Sequence, residues 1–314
     1  MGGRLHEDEM TTAGLVDALR GDELASLTAD VEAGRRDHVL KSLDERGAAQ
    51  ELIRQQYSGR YPFELLQNAN DAAADAGREG RVRFVLTDSA LLVADNGTGF
   101  GPEQVRAICG LARSSKDPRK SVGYKGLGFK SVGEVTNRPQ ISSSGVAFEF
   151  DEHRVREAVS LIAGDLTTRQ RLPVYAFPFF LDADRTDDGG LVARLHQDGF
   201  TTVLRLPFRP GVDREHVAAH LVDNLVPRLL LFLGSMAELE LAGSEGDFVA
   251  SVARSDLEEC QEVLLQHDDE IEHWLVFRDE IAVDPEVVAP LGDGWSVVEA
   301  VHVAVAVPLD AAGR

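Results

Sequence analysis

The order of helix-like and strand-like patterns along the chain constrains its fold more than any other sequence feature. Residues 1–60 show the 3.6-residue apolar spacing of helices and contain few helix breakers. A helix over Phe63–Ala76 is predicted to begin after Pro62 and to end at Gly77. Short apolar runs bounded by turn residues follow as far as residue 210 and predict strands with helices between them. The predicted strands are 81–87, 90–97, a pair within 140–150, 174–180, 191–195 and 201–208, and the predicted helices are 101–112 and 151–163.

These patterns predict an α+β protein, because helices come first and mostly antiparallel strands with intervening helices follow. A boundary is expected at Pro210-Gly211, and a helix over Asp213–Leu233, kinked at Pro227, opens the part beyond it. We expect that last part to begin a second α+β domain of a longer protein. The predicted divisions are a helical extension (1–54), a sandwich of helices on one face of a mixed sheet (55–210) and the truncated second domain (211–314).

The charge balance and the apolar content exclude several classes of protein. The net charge is −21, from 53 acidic and 32 basic residues, which disfavours a broad nucleic-acid surface. No apolar run approaches the roughly 20 residues of a membrane span, and the acidic start lacks the apolar centre of a secretory signal. Two cysteines, Cys109 and Cys260, make no disulfide framework. We therefore expect a cytoplasmic protein with reduced thiols and no membrane partner.

The helix over Phe63–Ala76 carries an unusual polar stripe. Glu64, Asn68 and Asp71 fall within one narrow sector of its surface, and an apolar sector of leucines and alanines lies elsewhere. A solvated face would explain such a stripe, and so would a ligand that needs carboxylate and amide oxygens. The stripe alone does not decide between the two.

The lysines are concentrated in one short segment of this acidic chain. The sequence has only five lysines, and four of them lie within fifteen residues. Those four are Lys116, Lys120, Lys125 and Lys130. A solvated loop would explain the cluster, and so would a local anionic ligand. The segment 113–128 also holds three glycines, which predicts a loop.

Three segments together carry the functional signal: ELLQNANDA (64–72), DNGTGF (95–100) and GYKGLGFKS (123–131). The common glycine-rich alternatives fail on detail. In a P-loop the second glycine directly precedes Lys-Ser, whereas here Phe129 separates Gly128 from Lys130-Ser131. A dinucleotide-binding or kinase loop needs a third glycine, which is missing.

The three segments, in this order, resemble those of the GHKL ATPase superfamily, which includes gyrase-type topoisomerases, ninety-kilodalton heat-shock chaperones, histidine kinases and MutL. The resemblance covers about residues 55–208 and is closest to the sacsin-type, chaperone-like ATP-binding domains. It implies a Bergerat-type α/β sandwich that binds and hydrolyses ATP with Mg²⁺.

The resemblance assigns roles to the polar stripe. Asn68 would bind Mg²⁺ through its side-chain oxygen, which suits a hard cation that keeps several waters. Glu64, one turn earlier, would act as the general base that activates the attacking water. Asp71 would make supporting contacts near the adenine end.

The second segment would form the adenine pocket. Asp95 would accept a hydrogen bond from the adenine amino group, while Gly97 and Gly99 would let the backbone pass close to the base. A threonine on a late strand completes this pocket in the family. Thr201 stands at the matching place, and Thr202 is the alternative.

The third segment would bind the phosphates of ATP with backbone N–H groups at a helix start. The residues concerned are Lys125, Gly126, Leu127, Gly128, Phe129 and Lys130. Which of the two lysines reaches a phosphate stays open. The lysine-bearing segment would close over the nucleotide as a lid.

The resemblance implies an ATPase module that drives conformational change in a larger chaperone-like or regulatory protein. A non-catalytic, nucleotide-gated interaction module is the alternative. A histidine kinase would need a phosphoacceptor histidine on a dimerising hairpin, and neither His6 nor His38 sits in one. The net charge disfavours a DNA-acting ATPase. The protein client, downstream domains as partners, an ATP-dependent dimer and a trans-acting cation at the γ-phosphate all stay open.

Overall fold

The computed structural model describes residues 11–110, 128–181, 188, 190–288 and 300–309, and they form an α+β fold with one large sheet. The helices are α1 (Thr12–Glu32), α2 (Arg36–Gln56), α3 (Tyr61–Ala76), α4 (Pro102–Gly110), α5 (Glu152–Ala163), α6 (Leu191–Gln197), α7 (Arg214–Asn224) and α8 (Pro285–Val288). Short 3₁₀ helices cover Gly128–Glu134, Val174–Ala176 and Pro227–Leu231. The strands are β1 (Gly80–Leu86), β2 (Ala90–Asp95), β3 (Gln140–Ser143), β4 (Val146–Glu149), β5 (Phe179–Phe180), β6 (Thr202–Pro207), β7 (Met236–Ala242), β8 (Phe248–Asp256), β9 (Gln261–His267), β10 (Glu270–Ala282) and β11 (Ala300–Pro308).

The sheet is mixed and mostly antiparallel, which confirms the coarse prediction. Its strand order is β11-β10-β9-β8-β7-β1-β2-β6-β3-β4-β5. Among the described strands, only β1 and β7 pair in parallel, and that pairing joins the part before residue 210 to the part after it. The sheet thus runs across the predicted domain boundary, and the three-part division of the chain stays a prediction.

Strand β2 lies at the centre of the fold and is covered on both faces. Leu91 and Val93 belong to the main core together with Leu66 of α3. Leu92 points the other way and packs in a second cluster with Leu195 of α6. This follows from the period of two in a strand, which sends alternate side chains to opposite faces. The sequence pattern placed helices on one face only, whereas α6 covers the opposite face at this point.

Two predicted strands are wrong. The segment 191–195 is the start of α6, where Gly190 in the left-handed conformation (φ 80°) precedes the helix and Leu195 faces the core. A run of five residues is too short to separate a strand from a helix by periodicity. The segment 174–180 forms a 3₁₀ turn and only a two-residue strand, because Pro178 cannot donate to a sheet ladder.

Most of the other predicted helices and strands are present in the structure. The helices at α3, α4 and α5 and the strands β1, β2 and β6 are confirmed, as is the hairpin of β3 and β4, which turns at Ser144 and Gly145. The predicted long helix after residue 213 is interrupted, because α7 ends at Asn224 and a 3₁₀ helix begins at Pro227. Within the described ranges, no helix combines the length and apolarity that crossing a membrane requires.

Candidate functional site

Helix α3 is the element that the other parts of the candidate site contact. Pro62 lies in its first turn, and Gly77 (φ 60°) ends it. The helix buries one face, formed by Tyr61, Pro62, Leu65, Leu66, Ala69 and Ala73. The polar stripe lies beside that face: Glu64 and Asp71 are half-buried and Asn68 is exposed. The stripe therefore borders the core and remains accessible.

Asp95 closes strand β2 in a tight turn. Its carboxylate oxygen Oδ1 accepts a hydrogen bond from the Gly97 N–H at 2.9 Å, and its carbonyl oxygen accepts one from the Thr201 N–H at 2.8 Å. These bonds hold the end of β2 against the start of β6. Asp95 is thereby fixed in position beside Thr201.

The Asp95 carboxyl group sits in a poorly solvated place. Burial raises the pKa of Asp95 to about 6, and the hydrogen bond from the Gly97 N–H offsets only part of that rise. Among the described residues the Gly97 N–H is the hydrogen-bond donor to this carboxylate, and it offsets the cost of burying the charge only in part. A ligand that donates an N–H to it would supply another donor.

Gly97 brings this turn against α3. A Cβ atom at Gly97 would lie 2.4 Å from the Cβ of Ala72, so no larger residue fits without movement. The Thr98 N–H donates to the carbonyl oxygen of Ala72 at 3.1 Å. The first two sequence segments, which are separate in the chain, therefore meet at Ala72, one residue after Asp71.

Position 99 requires glycine for a different reason. Its φ is +85°, which L side chains rarely adopt. A Cβ atom there would lie 2.3 Å from the Ser144 Oγ and 3.1 Å from the Thr201 Cγ2. The DNGTGF turn thus lies against the β3–β4 hairpin and against Thr201.

The two candidate threonines differ in availability. Thr202 is 1% exposed, and its hydroxyl is hydrogen-bonded to the Ser143 Oγ at 2.9 Å. Thr201 is half-buried. Ser143 also accepts the Phe100 N–H at 2.9 Å, so it positions the turn from a strand that the sequence patterns did not connect with it. Its only signal in the sequence was the Ser-Ser-Gly turn that follows Ser142.

The third segment reaches α3 at Glu64. A Cβ atom at Gly128 would lie 2.0 Å from the Glu64 Oε2, so the carboxylate directly abuts the glycine. Arg60 approaches the other carboxylate oxygen, with its Nη2 3.6 Å from Oε1. The start of the 3₁₀ helix Gly128–Glu134 is therefore adjacent to the polar stripe.

The two residues after Gly128 point elsewhere. Phe129 is buried, with its ring edge-on to Tyr175 at a centroid distance of 6.1 Å. Lys130 is 1% exposed, and its Nζ lies 5.5 Å from the Tyr175 ring centroid. Because a 3₁₀ helix turns once every three residues, Lys130 does not share the side of Gly128.

Part of the predicted site falls outside the described residues. Lys125, Gly126 and Leu127 belong to this part, as do Lys116 and Lys120 of the predicted lid.

The described residues fit a hydrated Mg²⁺ and a nucleotide in their chemistry. Asn68 is exposed and makes no side-chain hydrogen bond within the described part of the chain, so its oxygen is available. Glu64 and Asp71 add carboxylates on the same stripe, and oxygen ligands suit Mg²⁺. A Cβ atom added at Gly97, Gly99 or Gly128 would overlap a neighbouring atom. Because glycine has no Cβ, the backbone segments at these positions can lie close together.

Comparison with known proteins gives one informative similarity. No family model matches the chain. Over 230 residues, 70% of this chain, it is 30% identical to Protein NO VEIN of Arabidopsis thaliana. The match covers 8% of that protein, so this chain spans a small fraction of the length of its curated relative. That protein's name assigns no chemistry to the residues described above.

Proposed function

We propose that this chain is an Mg²⁺-dependent module that binds and hydrolyses ATP, with a Bergerat-type nucleotide site of the GHKL kind. One observation carries the proposal: the second and third sequence segments both contact α3, which carries the first segment. The DNGTGF turn meets α3 at Ala72, and Gly128 meets it at Glu64. A solvated stripe would need neither contact.

The adenine base would bind at Asp95 and Thr201. The half-buried carboxylate of Asp95 matches the exocyclic amino group of adenine, whereas the guanine carbonyl would leave it unpaired. The backbone around Gly97 and Gly99 forms the wall, since no side chain fits there.

The phosphates and the metal would bind further along the stripe. Asn68 would hold Mg²⁺, with Asp71 supporting the contacts towards the base. Glu64 would take a proton from the attacking water, because it is the carboxylate next to the glycine at the 3₁₀-helix start. The N–H groups at Gly128 and Phe129 would face the phosphates. We leave Lys130 out of this site because it lines a cavity bounded by α2 and the segment around Arg171–Tyr175.

The module would act within a larger chaperone-like or regulatory protein. The plant relative is far longer than this chain, which is compatible with a module. ATP-dependent ordering of the segment 113–128 would be the mechanical event.

The adenine assignment is tested with Asp95→Asn. We expect Mg-ATP affinity to fall at least tenfold, because an amide turned by the Gly97 N–H presents its own NH₂ to adenine. Isothermal titration calorimetry measures it. Asp88→Asn, at the opposite end of β2 and fully exposed, is the matched control and should bind normally. If Asp95→Asn binds Mg-ATP with wild-type affinity, the adenine assignment is wrong.

The catalytic assignment is tested with Glu64→Gln. This variant should keep its ATP affinity and lose turnover in a phosphate-release assay, because the base acts only on water. Asn68→Ala should lose both binding and turnover, because Asn68 holds the metal. Glu45→Gln, an exposed carboxylate on α2, is the control. Unchanged turnover in Glu64→Gln would require another base.

A non-catalytic, nucleotide-gated module is favoured by one contact. The Arg60 Nη2 lies 3.6 Å from the Glu64 Oε1, where it would compete with an attacking water for that oxygen. Under this alternative the wild-type protein binds Mg-ATP and shows no turnover. Arg60→Met should then raise turnover, whereas it should have little effect if Glu64 is already an effective base.

A further inference from the structure

A second cavity lies on the other side of the 3₁₀ helix Gly128–Glu134. It has a volume of about 480 Å³ and is bounded by α2, by that 3₁₀ helix and by the segment around Arg171–Tyr175. Its wall includes Gln50, Arg54, Lys130, Arg171 and Arg209. None of the described residues of the proposed nucleotide site lines it, apart from Lys130, which the preceding section left out. The volume is within the usual range for a small-molecule site.

Lys130 is the unusual member of this wall. It is 1% exposed, and its Nζ has no hydrogen-bond partner among the described residues. The ammonium group is compensated by the face of the Tyr175 ring and by an electrostatic interaction with Cys109. Burial lowers the pKa of Lys130 to about 8, which still leaves the side chain largely charged at neutral pH. An ammonium group buried in this way is costly unless something pairs with it.

A second buried polar group in the same wall is also unsatisfied. Gln50 of α2 is 8% exposed, and its Nε2 has no partner within the described part of the chain. Two unpaired donors, an ammonium and an amide, therefore border one cavity. Buried donors are almost always hydrogen-bonded, so the pair calls for an acceptor.

The arginines of the cavity wall differ in whether they form an ion pair. Arg54 is paired with Glu51 and Arg171 with Asp44, so those two cations are already neutralised. Arg209 donates its Nε to the Glu134 carbonyl at 2.9 Å and forms no ion pair with a described carboxylate. Glu51 and Glu152 also line the cavity, where they are paired with Arg54 and Arg156, and Glu51 interacts electrostatically with Arg209 as well. Lys130 and Arg209 have no ion-pair partner of their own among the described residues of a chain with 53 acidic and 32 basic residues. Because acidic residues are in excess in this chain, two cations without an ion-pair partner are an unexpected feature of the cavity.

We propose that this cavity binds the oxyanion group of a small metabolite, a phosphate or a carboxylate, through Lys130, Gln50 and Arg209. A tetrahedral or planar oxyanion offers several acceptor atoms, enough to meet both unpaired donors and the guanidinium group. The site is separate from the nucleotide site and does not depend on ATP binding there. It would place an anion against the back of the 3₁₀ helix whose first residue touches Glu64.

The test measures binding of inorganic phosphate and of citrate, each by calorimetry and by thermal shift at constant ionic strength. Wild-type protein should bind at least one of them and unfold at a higher temperature in its presence. Phosphate alone would indicate a phosphorylated metabolite, and citrate alone a carboxylate. Binding of neither ion overturns the proposal.

Variants locate the binding. Lys130→Met should weaken the anion at least tenfold and, without anion, should raise the unfolding temperature, because it removes a desolvated charge. Lys41→Met removes an exposed lysine of α2 and should change neither quantity. If Lys130→Met does not fold, Gln50→Leu and Arg209→Met carry the test, each with at least a threefold loss expected. Full affinity in these variants overturns the proposal.

Asp95→Asn and Asn68→Ala separate the two sites. Both should retain the phosphate or citrate affinity of wild type, since neither residue lines the cavity. An anion that is lost in Asn68→Ala and kept in Lys130→Met would be bound at the nucleotide site, and the proposal would be wrong.

Discussion

A central strand of the sheet, β2, and the strand at one end, β11, are similarly apolar and very differently buried. Strand β2 has five buried residues out of six, and both of its faces are covered. Strand β11 is equally apolar, with Val301, Val303, Val305 and Val307, and it pairs with β10 over nine residue pairs. Yet each of these four valines is at least 37% exposed. A complete hydrogen-bond ladder therefore does not imply a core.

The difference comes from what covers each strand. Around β2, helices α3 and α6 press on opposite faces, and the main and second clusters meet across the sheet. Towards β11 the main core still includes the buried Val263 of β9 and Val276 of β10, and from β11 the partly buried Ala306 packs against it. The candidate nucleotide site lies in the covered half, where packing can hold a carboxylate and three backbone segments in fixed positions.

The largest expected effect is at Leu92. Leu92→Ala removes a fully buried side chain between β2 and α6 and should lower the free energy of unfolding by about 2–5 kcal/mol. Ile281→Ala in β10, where the side chain is 50% exposed, should lower it by less than about 1 kcal/mol. Urea unfolding of both variants measures this. Equal losses would show that the distal strands are buried in solution.

The next effect is a pH dependence at Asp95. Its pKa is raised from 3.8 to about 6 in the folded protein, so the folded state binds more protons than the unfolded state between these values. Its contribution to stability therefore falls as the pH rises from about 4 to 6, by on the order of 3 kcal/mol. Asp95→Asn should flatten this part of the stability profile. An unchanged profile would contradict the raised pKa.

Gly97 provides a smaller effect. Gly97→Ala forces a Cβ against Ala72 and should destabilise the protein by about 1–3 kcal/mol. Gly21→Ala, in the middle of α1 with open space around it, should instead stabilise by up to about 1 kcal/mol. Thermal unfolding of the pair distinguishes close packing from a general glycine effect. A neutral Gly97→Ala would mean that the turn and α3 can separate.

The smallest effect is expected at Val305. Val305→Thr keeps the β-branched shape on an exposed strand and should change stability by less than about 0.5 kcal/mol. Val93→Thr makes the same change in β2, where it buries an added hydroxyl and should cost about 1–3 kcal/mol. A comparable loss at both positions, measured by urea unfolding, would remove the contrast between the two halves.

Local patterns were sufficient for the elements with strong signals. The end of α3 follows from Gly77, and the β3–β4 turn follows from Ser144-Gly145. They were insufficient at α6, since a five-residue apolar run suits a helix and a strand equally. Strand β9 has no period-of-two signal in its sequence, because its apolar residues Val263, Leu264 and Leu265 are consecutive and polar residues flank them.

The sequence by itself determined the polar stripe of Glu64, Asn68 and Asp71, the three ordered segments and the concentration of lysines. It could do so because helical periodicity and glycine placement are local properties. Only the tertiary structure decided that Gly97 and Gly128 both contact α3 and that Lys130 lines the cavity beside α2. It also decided which apolar strands are buried, because burial depends on the helices that pack over a strand and not on the strand's own residues.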